Sequence, residues 1–337
     1  MASVRSESTI PVIPLEDGSA ECAKELVDAA RQWGFLYISA GSDISQSKID
    51  RMFELSKKFF SSPREDKEKC AISANNRGWS SMHSETLNPQ NQRRGDFKEA
   101  LNFGEFSNGK AQQPLPPSLV PHEVELAKFA DQCHELCLRL LRLFALGLKI
   151  DKEDGGEEWF ASRHDQANGP SGSILRLLYY PAIPPGADYI PEVDIRAGAH
   201  SDYGSVTLLF QRPSQDGLEI LLPNGGGWTA APVNPPGYEG PPPILVNLGD
   251  LLSYWTAGLL RSTIHRVIFP PHARRGGEDR YSMVYFCHPV DTTPLVPVPS
   301  KIVQERGNRG ANETEGTVIT AAQHLKSKLA ASYEWGK

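Results

Sequence analysis

Cysteine is scarce in this chain. The five residues at 22, 70, 133, 137 and 287 make an odd count, and no Cys-x-x-Cys pair occurs. That excludes a disulfide-stapled secreted scaffold, and the thiols are expected to be reduced, mostly buried groups of a cytoplasmic protein. No apolar run approaches the ~18 residues that a membrane helix needs, and the first residues lack the hydrophobic stretch of a signal peptide. Positive charge is not in excess either. Lys and Arg number 35 against 41 Asp and Glu, a formal charge of −6, which argues against a nucleic-acid coat or a polybasic membrane patch. Phosphate-binding signatures are missing as well. Gly225-Gly226-Gly227 opens no helix and reads as a hairpin turn, and there is no Walker or dinucleotide fingerprint and no Gly-x-Ser-x-Gly elbow.

What the chain does have is length and turns. Its 337 residues can bury an ample core. Glycine (29) and proline (27) are more frequent than usual, so the fold should be rich in turns. The expected class is α+β. Residues 1–120 form a mixed region, with strands at 10–15 and 34–39, helices at 19–33 and 44–60, and little periodicity from 75 to 109. Residues 121–170 hold one long helix, 121–148, on which Leu126, Phe129, Cys133, Leu140 and Phe144 share a stripe, and a shorter one near 157–163. Residues 171–300 read as short strands at 174–180, 206–211, 218–222, 228–231, 244–247, 263–269 and 281–287, separated by Gly/Pro turns. Residues 301–337 end in a helix over 317–333. Asn312-Glu-Thr314 is a glycosylation sequon by pattern only.

Among the nine histidines, two are followed at i+2 by a carboxylate: His83-Ser-Glu85 and His200-Ser-Asp202. Chance alone supplies about one such pair, so context must separate them. The first lies in a polar, aperiodic stretch and reads as solvated loop at the border of a site mouth. The second stands directly before a strand, and on extended backbone residues i and i+2 face the same way. His265, inside another expected strand, is the third candidate. Two imidazoles and one carboxylate with open positions make the facial triad of non-haem Fe(II) oxygenases, which leaves room for a chelating 2-oxo acid and O2. Arg280-Tyr-Ser282, on the next strand, could grip a carboxylate through a bidentate pair and a hydroxyl, and Tyr180 could add a phenol. Taken singly, these groups also have plain structural readings as turn, core or surface residues.

Leu178-Tyr-Tyr-Pro181, His200-Ser-Asp202, Val246-Asn-Leu-Gly-Asp250, His265-Arg-Val267 and Arg280-Tyr-Ser-Met-Val-Tyr-Phe286 stand in this order along the chain. So arranged, they resemble the isopenicillin N synthase-like family of 2-oxoglutarate/Fe(II) dioxygenases, in the style of fungal specialised metabolism. Ile10-Pro-Val-Ile-Pro-Leu15, Trp33-Gly-Phe-Leu-Tyr-Ile38 and Gly95-Asp-Phe-Lys-Glu-Ala100 resemble its N-terminal region. The resemblance implies a double-stranded β-helix (jelly-roll) core flanked by helices, iron on His200, Asp202 and His265, and 2-oxoglutarate on Arg280 and Ser282 with Tyr180 nearby. The family often has Asn-x-Tyr where this chain has Leu178-Tyr-Tyr180. The activity expected is oxidation of a small organic molecule, by hydroxylation as the default outcome, with desaturation or ring rearrangement also open to the same chemistry. Rival readings are an iron oxidase that needs no 2-oxoglutarate and a non-catalytic small-molecule binder. Arg196, Tyr203 and Phe210 are the substrate-contact candidates, 75–97 with Trp79 is the candidate lid, and Asn247 and Asp250 are read as turn-fixing residues. The sequence sets no oligomeric state.

Overall fold

The computed structural model describes residues 10–15, 18–39, 43–273, 277–307 and 318–332. The sequon at 312–314 and both expected ends of the last helix, Thr317 and Tyr333, lie outside the described residues. Helix α1 (Ala20–Gln32) begins where the Ser19 hydroxyl accepts from the Cys22 backbone N–H, and it buries Cys22, Leu26, Val27 and Ala30 as its spacing predicts. Helix α2 (Gln46–Phe60) buries the stripe Ile49, Met52, Phe53, Leu55 and Phe59. Pro63 then starts a short α3 (Arg64–Glu68), which the sequence pattern does not announce. The long apolar stripe becomes α4 (Glu123–Gly147), followed by α5 (Glu158–His164). Two further short helices, α6 (Asp250–Trp255) and α7 (Lys301–Gly307), precede the closing α8 (Ala321–Ser332).

The strands are β1 (Val12–Pro14), β2 (Phe35–Ser39), β3 (Gly78–Ser80), β4 (Glu99–Phe103), β5 (Phe106–Ser107), β6 (Lys110–Ala111), β7 (Ile174–Tyr180), β8 (Ala197–His200), β9 (Val206–Phe210), β10 (Leu218–Leu222), β11 (Gly227–Ala230), β12 (Ile244–Leu248), β13 (His265–Val267) and β14 (Arg280–Cys287). Strands β3, β4, β5, β6 and β8 were not expected. Residues 100–103 of β4 are all buried, so no alternation marks that strand in the sequence. Trp79, read as part of a lid, is instead buried on β3, with its indole N–H donating to Glu99 Oε2 at 2.8 Å.

Two sheets result. The larger runs β1-β2-β12-β9-β14-β7-β4-β3 and the smaller β11-β10-β13-β8, with β5 and β6 as a separate pair. From β7 to β14 the chain passes back and forth between them, which is the jelly-roll pattern. The N-terminal strands join the larger sheet by direct pairing, β2 to β12 and β4 to β7. One face of that sheet packs on the helices, with Leu208, Phe210, Tyr285 and Met283 against α4 and its neighbours. The other faces the smaller sheet, and Leu178, Val284, Leu218 and Val267 meet between them. A large cavity opens in this inter-sheet space.

Candidate active site

His200 ends β8 and His265 starts β13, and the register pairs the two residues directly. Their imidazole centroids are 4.3 Å apart. Each ring is fixed by its own chain: His200 Nδ1–H donates to the Gly198 carbonyl at 2.7 Å and His265 Nδ1–H to the Thr263 carbonyl at 3.1 Å. This selects the tautomer that leaves both Nε2 lone pairs facing the cavity. Asp202, just past the end of β8, completes the group. Its Oδ2 accepts from Asn247 Nδ2 on β12 and Thr207 Oγ1 on β9, both at 2.6 Å. Its Oδ1 is thereby turned to the imidazoles, 3.8 Å from His200 Nε2 and 3.7 Å from His265 Nε2.

The three side chains present ligand atoms all within 4.8 Å of one another. Donors bonded to one first-row divalent ion at about 2.1 Å each cannot be more than about 4.2 Å apart, so the Asp–His distances fit a single ion. Burial, helped by the neighbouring His265, pushes the His200 pKa down to about 3, so its Nε2 is a free lone pair at neutral pH. Burial opposes charge on Asp202, but the two histidines, Asn247 and Thr207 outweigh it and hold the pKa below the ordinary value. Two imidazoles with one carboxylate are the donor set that Fe(II) oxygenases use.

The second predicted group is assembled on the larger sheet. Arg280 on β14 pairs in register with Tyr180 on β7. Its guanidinium lies over the Tyr180 ring at 5.0 Å and donates to Ser282 Oγ at 3.3 Å. Gln211 Oε1 and the Gln215 carbonyl accept from its other nitrogens at 3.2 and 2.9 Å. Burial lowers the Arg280 pKa from its ordinary value, without removing the charge of a guanidinium. Arg280, Ser282, Tyr180 and the triad line one cavity. A guanidinium and hydroxyl able to grip a carboxylate and three groups that could hold a metal ion thus stand on facing walls.

The substrate candidates separate. Tyr203 lines the cavity. Phe210 does not: Thr207 and Leu209 of β9 face inward, so strand alternation turns Phe210 to the helix side, where its ring meets Phe129 at 5.4 Å. Arg196 is also absent from the lining. Its guanidinium covers the Phe269 ring at 4.7 Å and donates to the Asp216 and Glu278 carbonyls. The cavity-facing residue there is its neighbour Ala197. His83 stays off the lining, its Nδ1–H donating to the Gly95 carbonyl at 2.8 Å. Glu85, read as solvated loop, is buried and lines the cavity, as do Lys98 and Arg176. Asp250 starts α6 and holds Ser262 Oγ and Lys328 Nζ. Asn247, Thr207, Gln211 and the lining leucines of α8, Leu325 and Leu329, were missed as site residues. Of these only Asn247 carried a signal, in the Val246-to-Asp250 motif.

Residues 10–123 match the family described as non-haem dioxygenase in morphine synthesis N-terminal, and residues 171–289 match the 2OG-Fe(II) oxygenase superfamily. Similar proteins include a UPF0676 protein of Schizosaccharomyces pombe, 38% identical over 295 residues (86% of this chain, 84% of that one). The 2-oxoglutarate-dependent dioxygenase htyE of Aspergillus rugulosus is 32% identical over 336 residues, 93% of either chain. Among solved structures, a full-length Neurospora crassa protein in complex with alpha-KG is 31% identical, with a TM-score of 0.77 over 98% of this chain and 99% of that one. The same Neurospora protein has been solved with alpha-KG and thymine. This chain belongs to the 2OG-Fe(II) oxygenase superfamily. It is an Fe(II)- and 2-oxoglutarate-dependent dioxygenase that acts on a small organic molecule, and its jelly-roll core is that of its family. Among the described residues no helix is long and apolar enough to cross a membrane.

Proposed function

We propose that His200, Asp202 and His265 hold the Fe(II), that Arg280 and Ser282 with Tyr180 beside them hold the distal carboxylate of 2-oxoglutarate, and that the enzyme hydroxylates a specialised metabolite in the cytoplasm. When bound, the iron and the oxo acid supply oxygen activation: substrate C–H, O2 and 2-oxoglutarate go to C–OH, succinate and CO2. The protein's share is placement. The Gly198 and Thr263 carbonyls keep both imidazoles in the ligating tautomer, and Asn247 and Thr207 aim Asp202 Oδ1 at them. Arg280 and Ser282 fix the co-substrate against the larger sheet, and Leu218, Val267 and Val284 keep the space between dry. Tyr203, beside Asp202 in the lining, is the retained substrate contact.

The observation that carries this reading is the convergence of two tautomer-fixed imidazoles on one oxygen of a carboxylate whose other oxygen is already engaged. The similarity to htyE supports a specialised metabolite, and five buried thiols, none of them in a disulfide, support a reducing compartment. The test is anaerobic titration of the metal-free protein with Fe(II), then 2-oxoglutarate. One equivalent of each is expected to bind with a visible charge-transfer absorption, and succinate should then form on adding O2 and substrate. Substrate oxidation without succinate would favour an oxidase and release Arg280 from its role.

A further inference from the structure

The cavity has a second polar wall, which the chemistry above does not use. Glu85, from the loop between β3 and β4, Lys98, directly before β4, and Arg176, on β7, all line it. Their side chains are 5%, 4% and 11% exposed. Glu85 Oε2 is 2.7 Å from Lys98 Nζ and 2.7 Å from Arg176 Nη2. Lys98 Nζ is also 2.5 Å from Asp96 Oδ2. Burial works against the Lys98 charge, but Asp96 and Glu85 outweigh it and raise its pKa, so the ammonium stays charged at neutral pH.

Position ties this wall to the reaction. Arg176 and Tyr180 stand on the same face of β7, four residues or roughly 13 Å apart. Asp96, which holds Lys98, also accepts from the backbone N–H of Gly198, two residues before His200, so this wall adjoins the metal end. A molecule touching Lys98 and Arg176 therefore lies beside the iron site without displacing the co-substrate from Arg280.

The charges decide what that molecule is. Two cations and two carboxylates cancel. The rest of this lining is apolar: Val284, which pairs in register with Arg176, and Phe286 stand beside it on β14, and α8 adds Leu325 and Leu329. An anion or a cation entering this space would bring a buried charge with no partner left for it, which is strongly disfavoured. A wholly apolar molecule would press hydrocarbon on an ammonium and a guanidinium, groups that only donate. Lys98 has three N–H bonds, and the two carboxylates engage two of them. The complement is a neutral molecule with an acceptor oxygen.

We propose that Glu85, Lys98 and Arg176 are the substrate-selecting subsite, and that the substrate is electrically neutral, offering a carbonyl-type acceptor to Lys98 and Arg176 and packing its apolar remainder on Val284, Phe286 and α8. This rests on the dioxygenase site proposed above. Benzamide, benzoate and benzamidinium share one shape and differ in charge, so they test it directly. Each is titrated calorimetrically, without oxygen, into the full chain holding Fe(II) and 2-oxoglutarate. Benzamide is expected to bind at least about tenfold tighter than either ion. Glu85→Gln gives the cluster a net positive charge and should reverse the order of benzamide and benzoate. Lys98→Met removes a donor and a cation, and should weaken benzamide about tenfold with no gain for benzoate. A wild-type preference for either ion, no binding of any probe, or an unchanged order in Glu85→Gln would overturn the proposal. Should one variant fail to fold, the wild-type order and the other variant decide. Absence of 2-oxoglutarate binding by the wild type, read in the same cell, would instead overturn the site assignment beneath it.

Discussion

The two ends of the cavity are built by different means. At the end proposed to hold the metal and the co-substrate, the residues sit on or beside paired strands. His200 faces His265 in register, Arg280 faces Tyr180, and the Asp202 carboxylate is clasped by β9 and β12. At the other end, the wall comes from a loop, a strand and a helix, and its charged side chains are tied to one another by ion pairs. Glu85 bridges Lys98 and Arg176, Arg93 and Arg94 both reach Asp194, and Asp96 Oδ1 accepts from the Gly198 N–H. The lesson concerns tolerance. Displacing a ligand by one strand position turns it to the other face of the sheet, so the reacting end admits little change. Loop and helix contacts can be exchanged one by one, and that suits the end that chooses a substrate.

The comparison breaks if damage at one end is felt equally at the other. The largest effect is expected from Asp202→Ala, which removes a ligand and leaves two imidazoles without their charge partner. Fe(II) binding and turnover should both vanish, while the fold survives by circular dichroism. Stoichiometric iron in this variant would sink the ligand assignment. Next comes Arg280→Ala. Hydrogen bonds to charged groups contribute about 1.5–3 kcal/mol, so the 2-oxoglutarate requirement should rise roughly 10- to 100-fold with metal binding intact. A KM for 2-oxoglutarate like that of the wild type would remove Arg280 from the anchor. Asn247→Ala keeps every ligand but frees one side of Asp202, and the metal affinity should fall about 10-fold, up to 100-fold. Equal iron affinity would mean that Thr207 alone suffices to aim the carboxylate.

This contrast also explains what the sequence could reveal. His200, Asp202, His265, Arg280 and Ser282 lie on or beside strands, four of them in two short i, i+2 patterns, and the period of a strand makes their common direction readable. The same alternation, applied one position further, would have excluded Phe210: its inward neighbours are Thr207 and Leu209. Arg196 was misplaced because β8 itself was not expected, so no parity could be assigned to it. Glu85 and Lys98 lie in a stretch with no periodicity, and only the folded chain shows that Arg176, about 80 residues later, joins them on one wall. The large helices were legible because each buries one stripe. Strand β4 was not, because both of its faces are covered.

The smallest predicted effect separates the two ends most sharply. Helix α8 lays Leu325 and Leu329 on the cavity. It is seated by backbone bonds, Ala321 N–H to the Thr293 carbonyl at 2.9 Å, and by Lys328 Nζ on Asp250 Oδ2 at 2.6 Å. The Lys328 side chain is 39% exposed and Asp250 17%, so the pair is partly screened by solvent. Such a pair contributes about 0–1 kcal/mol. Lys328→Ala should therefore raise the substrate KM by no more than about fivefold, with the KM for 2-oxoglutarate and the iron affinity unchanged. High salt should shift the wild type in the same direction, because it weakens the same ion pair. If Lys328→Ala altered 2-oxoglutarate binding instead, α8 would belong mechanically to the strand-built end, and the division of the cavity into a fixed half and an exchangeable half would fail.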